Sequence, residues 1–79
     1  MSDALPASLV ELAADRVRDD ILSGRLEPGA KIVEETLCAD LGISRGPLRE
    51  ALRLLTQQGL VEHLPRRGSR VVEWSPADV

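Results

Sequence analysis

The sequence predicts a mainly α-helical domain with one small β-hairpin, built as three helices followed by two short strands. Three observations carry that expectation. Apolar residues recur at helical spacing in three blocks, within 9–22, 37–41 and 48–55. Only Gly42, Ile43 and Ser44 separate the second block from the expected start of the third helix. After Gly59 the pattern changes to β-prone runs on either side of Pro65-Arg66-Arg67-Gly68. At 79 residues and 43% hydrophobic content there is room for one small core, which excludes a barrel or a large α/β enzyme.

Residues 1–7 are small, polar or proline and read as a flexible N-terminus. Ser8 and Glu11 spell S-x-x-E, in which the hydroxyl caps an early helical amide while the glutamate reaches back, so the first helix is expected to begin at Ser8. Leu9, Ala13, Val17 and Ile21 recur every four residues and give it one apolar face, and Gly24 stops it. Leu26-Glu27-Pro28-Gly29 is a turn, with proline presetting φ at the first central position and glycine accepting a positive φ at the second. Lys31, Ile32 and Val33 suit a short strand.

A second helix is expected over 34–41, with Leu37 and Leu41 facing inward, Glu34 and Glu35 at its positive end and Gly42 ending it. Ser44 is a preferred N-cap for a third helix, in which Leu48, Ala51, Leu52 and Leu55 fall at i, i+3, i+4 and i+7. Pro47 lies in its first turn, where a missing N–H has no intrahelical partner to lose. Gln57-Gln58-Gly59 closes the helix. The β-prone runs 60–64 and 69–73 form a hairpin that is marginal alone and has to lean on the helices. Residues 74–79 read as the start of a linker.

The net charge of −3 conceals an uneven distribution. Residues 1–43 hold four basic and nine acidic side chains, whereas residues 44–70 hold six arginines against Glu50 and Glu62. Positive charge concentrated in one third of a chain is the electrostatic footprint of a nucleic-acid partner. Trp74 is the sole aromatic residue, which excludes a stacking platform for single strands. One cysteine and one histidine cannot make a disulfide or a four-ligand zinc site, and they offer no catalytic pair. No metal, cofactor or enzymatic activity is therefore expected. Cys38 reads as a small, partly buried hydrophobe and His63 as a packed strand residue. No stretch approaches the roughly 18 apolar residues of a membrane span, and M-S-D-A-L-P lacks the regions of a secretory signal, so the expectation is a cytoplasmic chain without membrane contact.

The two helices flanking Gly42 have the dimensions of a helix-turn-helix whose second helix enters the major groove. Arg45, Arg49 and Arg53 are spaced by four and form one stripe, rotated by roughly 100° from the leucine face. A guanidinium fork can bind guanine O6 and N7 or grip phosphate, so Arg45 and Arg49 suit base readout. Arg53, a turn farther on, suits a backbone contact or an ion pair with Glu50 or a neighbour. Ser44 and the free amides beside it can take a phosphate. Arg66 and Arg67 extend the basic surface at the hairpin tip, and Gly68 supplies the positive φ that such a turn needs.

The run G-I-S-R-G-P-L-R-E-A-L-R-L-L-T-Q-Q-G-L-V, preceded by I-L-S-G-R-L-E-P-G and followed by R-R-G-S-R-V, resembles the GntR family of bacterial transcription regulators over about residues 8–73. The resemblance implies a winged helix-turn-helix with the hairpin as wing, bound as a dimer to palindromic operators. It implies DNA contacts from the recognition helix at Ser44, Arg45, Gly46, Pro47 and Arg49, and a wing tip at Pro65, Arg66, Arg67 and Gly68. Family members often carry a basic residue early in the second helix, where this sequence has Glu34 and Glu35. The family's C-terminal domain, which binds a small-molecule effector and makes the homodimer, is expected beyond these 79 residues. The S-R-x-P-L-R-E-A-L spelling, the E-x-x-L of the second helix and the W-S-P-A-D-V tail look most like the FadR-like branch.

The expected organisation is thus a flexible N-terminus at 1–7, a winged helix-turn-helix at 8–73 and a linker from 74 to 79. The expected function is sequence-specific binding of double-stranded DNA as the operator-binding domain of a bacterial regulator, a repressor more readily than an activator. The rival from another class is a winged helix that docks an acidic protein partner through the same arginines. By itself the chain is expected to be monomeric, its leucines being consumed by its own core.

Overall fold

In the computed structural model of the chain, residues 5–73 are described, with side chains from residue 9 onward. The elements run α1 (Leu5–Ser23), β1 (Lys31–Ile32), α2 (Glu34–Leu41), α3 (Arg45–Gln57), β2 (Val61–Leu64) and β3 (Gly68–Val71). Three helices and a hairpin are present as expected. The linker expected over 74–79 lies outside the described residues.

Helix α1 starts at Leu5, so Ser8 lies inside the helix and is not its cap, and residues 5–7 are helical. Pro6 permits the earlier start. It falls in the first turn, where its fixed φ is already helical and no backbone hydrogen bond is lost. Ala13, Ala14 and Val17 on α1 are buried with Leu48 and Leu55 on α3, and Ile32, Leu37, Val61 and Val71 close the core from the other elements. Asp20 is also buried, at 8% exposure, clamped by Arg16 at 3.6 Å and Arg25 at 3.5 Å. Burial of a carboxylate at the foot of α1 is tolerated because two guanidiniums replace the lost water.

The strands form one antiparallel sheet in the order β1-β3-β2. The Pro28-Gly29 turn delivers β1 to this sheet: the Ala30 N–H donates to the Glu27 carbonyl at 2.9 Å and the Val71 N–H to the Ala30 carbonyl at 2.8 Å. The hairpin therefore leans on a third strand as well as on the helices. Arg70, opposite Glu62 in the ladder, pairs with it at 2.8 Å. Between α2 and α3, Gly42 takes φ 68°, and its N–H donates to the Cys38 carbonyl at 2.8 Å. That left-handed residue lets the chain reverse within the three residues available. Cys38 is half-buried against the core, as expected.

Candidate nucleic-acid interface

Helix α3 separates packing from presentation. Leu48, Ala51, Leu52 and Leu55 are buried, whereas Arg45, Arg49 and Arg53 are exposed along one stripe. Ser44 occupies the N-cap position with extended backbone, but its hydroxyl makes no capping bond. The exposed hydroxyl and the first-turn amides are thus both open to an incoming acceptor. Gly46 and Pro47 complete that first turn. A Cβ built on Gly46 would meet nothing within 4 Å, so nothing in the fold itself requires glycine there.

At the wing tip the Arg67 N–H donates to the Leu64 carbonyl at 2.9 Å, closing a turn with Pro65 and Arg66 as its central residues. Pro65 suits the first of these positions. The second demands a positive φ and is held by Arg66 at 65°, with Gly68 following at 89°. Pro65, Arg66, Arg67 and Gly68 are all exposed. The sequence pointed to glycine alone for a left-handed backbone here, and the structure places an arginine in it as well.

A groove of about 610 Å³ runs between α3 and the wing, lined among others by Glu34, Arg49, Arg53, Thr56, His63 and Arg66. Arginines from both supports thus face one concavity. Their surroundings differ. The Nε of Arg49 donates to Glu34 Oε1 at 3.3 Å, while Arg45, Arg53, Arg66 and Arg67 pair with no carboxylate among the described residues. The ion pair between Arg53 and Glu50 contemplated from the sequence is not formed, and Arg53 turns to the groove instead.

Glu34, Thr56 and His63 are among the groove residues that the sequence does not assign to the site. Glu34 reaches Arg49 across 15 positions, a pairing that no local pattern announces. Thr56 follows Leu52 by one turn, at the border between core and stripe. His63 was expected to be packed and is exposed. It shares the inner face of β2 with Val61, two residues earlier, but that face runs past the core and out over the groove. Alternation along the strand gave the face, and only the position of α3 decides where the core ends.

Among the described residues there is no cluster of His, Cys, Asp or Glu able to hold a metal, and no helix is long and apolar enough to cross a membrane. A helix-turn-helix with arginines on its open face, continued by a basic hairpin, defines a winged helix-turn-helix DNA-binding domain. The chain belongs to the GntR family: the family model described as bacterial regulatory proteins, gntR family, matches residues 9–71. It is 45% identical over 64 residues to an HTH-type transcriptional regulator in an unstable DNA locus of Streptomyces ambofaciens, covering 81% of this chain and 27% of that protein. The mannosyl-D-glycerate transport/metabolism system repressor MngR of Escherichia coli is 39% identical over 61 residues, 76% of this chain and 25% of the repressor. The chain therefore spans about a quarter of each of these regulators.

Solved structures agree. A GntR transcriptional regulator from Rhodococcus sp. RHA1 superposes with a TM-score of 0.83 at 37% identity, covering 90% of this chain and 34% of its own. The DNA-binding domain of AraR, solved in complex with operator ORR3, superposes with a TM-score of 0.74 at 28% identity, covering 81% of this chain and 78% of that one.

Proposed function

We propose that this chain is the operator-binding part of a bacterial transcription repressor, with α3 in the major groove and the wing on the flanking phosphates or the minor groove. The observation that carries this reading is the groove that Arg49 and Arg53 of α3 share with Arg66 of the wing tip. An α-helix fits the major groove of B-form DNA, and a guanidinium at its N-terminal end reaches guanine O6 and N7. Arg45 and Arg49 take that role. Ser44, Gly46 and Pro47 bring the helix start against the sugar-phosphate chain, Arg53 meets backbone, and Pro65 to Gly68 present Arg66 and Arg67 to the neighbouring strand.

One recognition helix reads only a half-site, so two copies are needed on a palindrome with half-sites roughly 34–36 Å apart. The full-length protein makes this homodimer through a C-terminal domain that also takes a small-molecule effector. The spelling of α2 and α3 supports the FadR-like branch for that domain. The repressor names among the relatives support the sign of regulation. In this reading the chain works in the cytoplasm, catalyses nothing and holds no cofactor.

A salt titration of binding to duplex DNA tests the reading. The expected result is a log–log slope of several units, together with tighter binding to a duplex enriched from a randomised library than to random duplex. A flat salt dependence, with capture of an acidic protein instead, would establish the protein-docking alternative.

A further inference from the structure

We infer that Glu34 is a positioning residue for Arg49, holding its guanidinium by Nε so that the terminal Nη fork is aimed at a base edge and drawn away from phosphate. The inference rests on the proposed role of Arg49 in base readout and extends it to a residue on a different helix.

Of the three arginines on the α3 stripe, Arg49 is the one that pairs with a carboxylate among the described residues. The bond goes to Nε, the donor nearest the chain, with Glu34 Oε1 at 3.3 Å. A guanidinium has five N–H donors, and engaging Nε leaves all four on the two Nη atoms available. Those are the donors an end-on fork needs for guanine O6 and N7. The exposures fit this division: the Glu34 side chain is 26% exposed and seated, that of Arg49 64% exposed and reaching outward.

A helix-dipole role alone would not account for the arrangement. An acid in the first turn of α2 is favourable there whether or not it touches α3. Glu35, beside it in the same turn, is exposed and has no ion pair among the described residues. Glu34 is the one that turns to the groove. Its charge acts on recognition in two ways. It restrains a long side chain before DNA arrives, and it offsets the pull of Arg49 on any nearby phosphate, since a carboxylate beside the backbone repels it. Both raise discrimination between sequences more than affinity.

The test measures binding of the wild-type chain, Glu34→Ala, Glu34→Gln, Arg49→Ala and the Glu34→Ala/Arg49→Ala double variant. The probes are the duplex enriched by the wild type from a randomised library, single base-pair changes of it, and random duplex. Glu34→Ala is expected to lower the enriched-to-random ratio about six- to tenfold, a loss at the lower end of the range of one bidentate base contact. It should also tighten binding to random duplex. Glu34→Gln keeps an oxygen for the Nε–H and should recover part of the ratio, which a purely structural role would not produce. In the Arg49→Ala background, Glu34→Ala should leave the ratio unchanged, the non-additivity expected of residues that act together. If Arg49→Ala itself spares the ratio, base readout by Arg49 and this inference fall together. If Arg49→Ala destroys the ratio but Glu34→Ala spares or raises it, or lowers it equally with and without Arg49, only the inference falls. Should the alanine variant fail to fold, the isosteric glutamine variant decides alone: tighter binding to random duplex with a reduced ratio supports the inference, and wild-type behaviour in both overturns it.

Discussion

Helix α3 and the wing tip both present arginines to one groove, yet they support them by different means. Under α3 lie Leu48, Ala51, Leu52 and Leu55, all buried, so the direction of each arginine follows from helical geometry and from a core that cannot shift without cost. The wing tip has no such floor. Pro65 to Gly68 are exposed, and their shape is set by a proline φ, one turn hydrogen bond and two left-handed residues. A helix on a packed core fixes a few donors well enough to distinguish bases, whereas an exposed tip can adjust and suits the more forgiving task of meeting phosphates.

The largest expected effect removes the floor of α3. Leu48 has no exposed surface, and Leu48→Ala should cost about 2–5 kcal/mol, the usual range for such a truncation. For a domain this small that is a large share of its stability. Loss of a cooperative thermal transition, with loss of DNA binding by both regions, is the expected outcome. A variant that melted like the wild type would show that α3 is held by something other than its leucine face.

Replacing Arg66 and Arg67 together by alanine touches only the wing. Each phosphate contact contributes roughly −0.9 to the slope of log affinity against log salt, so the slope should become shallower by about two. Affinity should fall for every duplex, while the preference for the enriched sequence persists. A double variant that kept its slope but lost its preference would reverse the assignment of tasks between helix and wing.

The two regions were also unequally legible from the sequence. The boundaries of α2 and α3 were plain because Gly42, Ser44 and Gly59 punctuate them and because a period of four names both the leucine face and the arginine stripe. The hairpin was legible from its turn. The pairing of β1 with β3 was not, since Lys31 and Arg70 meet only once the helices have been packed. The same limit hid Glu34 behind Arg49 and the exposure of His63. The start of α1 differs from the expected Ser8 for a local reason. Ser8 and Glu11 spell a cap signal, but Pro6 just before them suits a first helical turn equally well, and the helix takes the earlier start.

Gly46 sharpens the comparison on the helix side. Its backbone is helical, and a Cβ there would meet nothing within 4 Å, so Gly46→Ala should stabilise the chain by about 0.5–1 kcal/mol. If the first turn of α3 lies against the sugar-phosphate chain, the same methyl group should weaken binding to DNA. A rise in melting temperature with undiminished affinity would place the DNA farther from Gly46.

On the wing side, the smallest expected effect comes from Arg66→Gly. A residue with a side chain at φ 65° carries a penalty of roughly 1–2 kcal/mol that glycine avoids, while glycine adds back roughly 0.5–1 kcal/mol of unfolded-chain entropy. The two partly cancel, leaving a gain between about zero and 1.5 kcal/mol, readable as a rise in melting temperature of roughly 4–8 °C for each kcal/mol gained. Binding should move in the opposite direction, because the strained position holds a guanidinium over the groove and glycine holds nothing. Greater stability with weaker, less salt-sensitive binding would mark Arg66 as a residue kept for its charge against the preference of its own backbone. A destabilised variant would mean that the Arg66 side chain contributes to the packing of the wing, and the contrast between a supported helix and an unsupported tip would have to be redrawn.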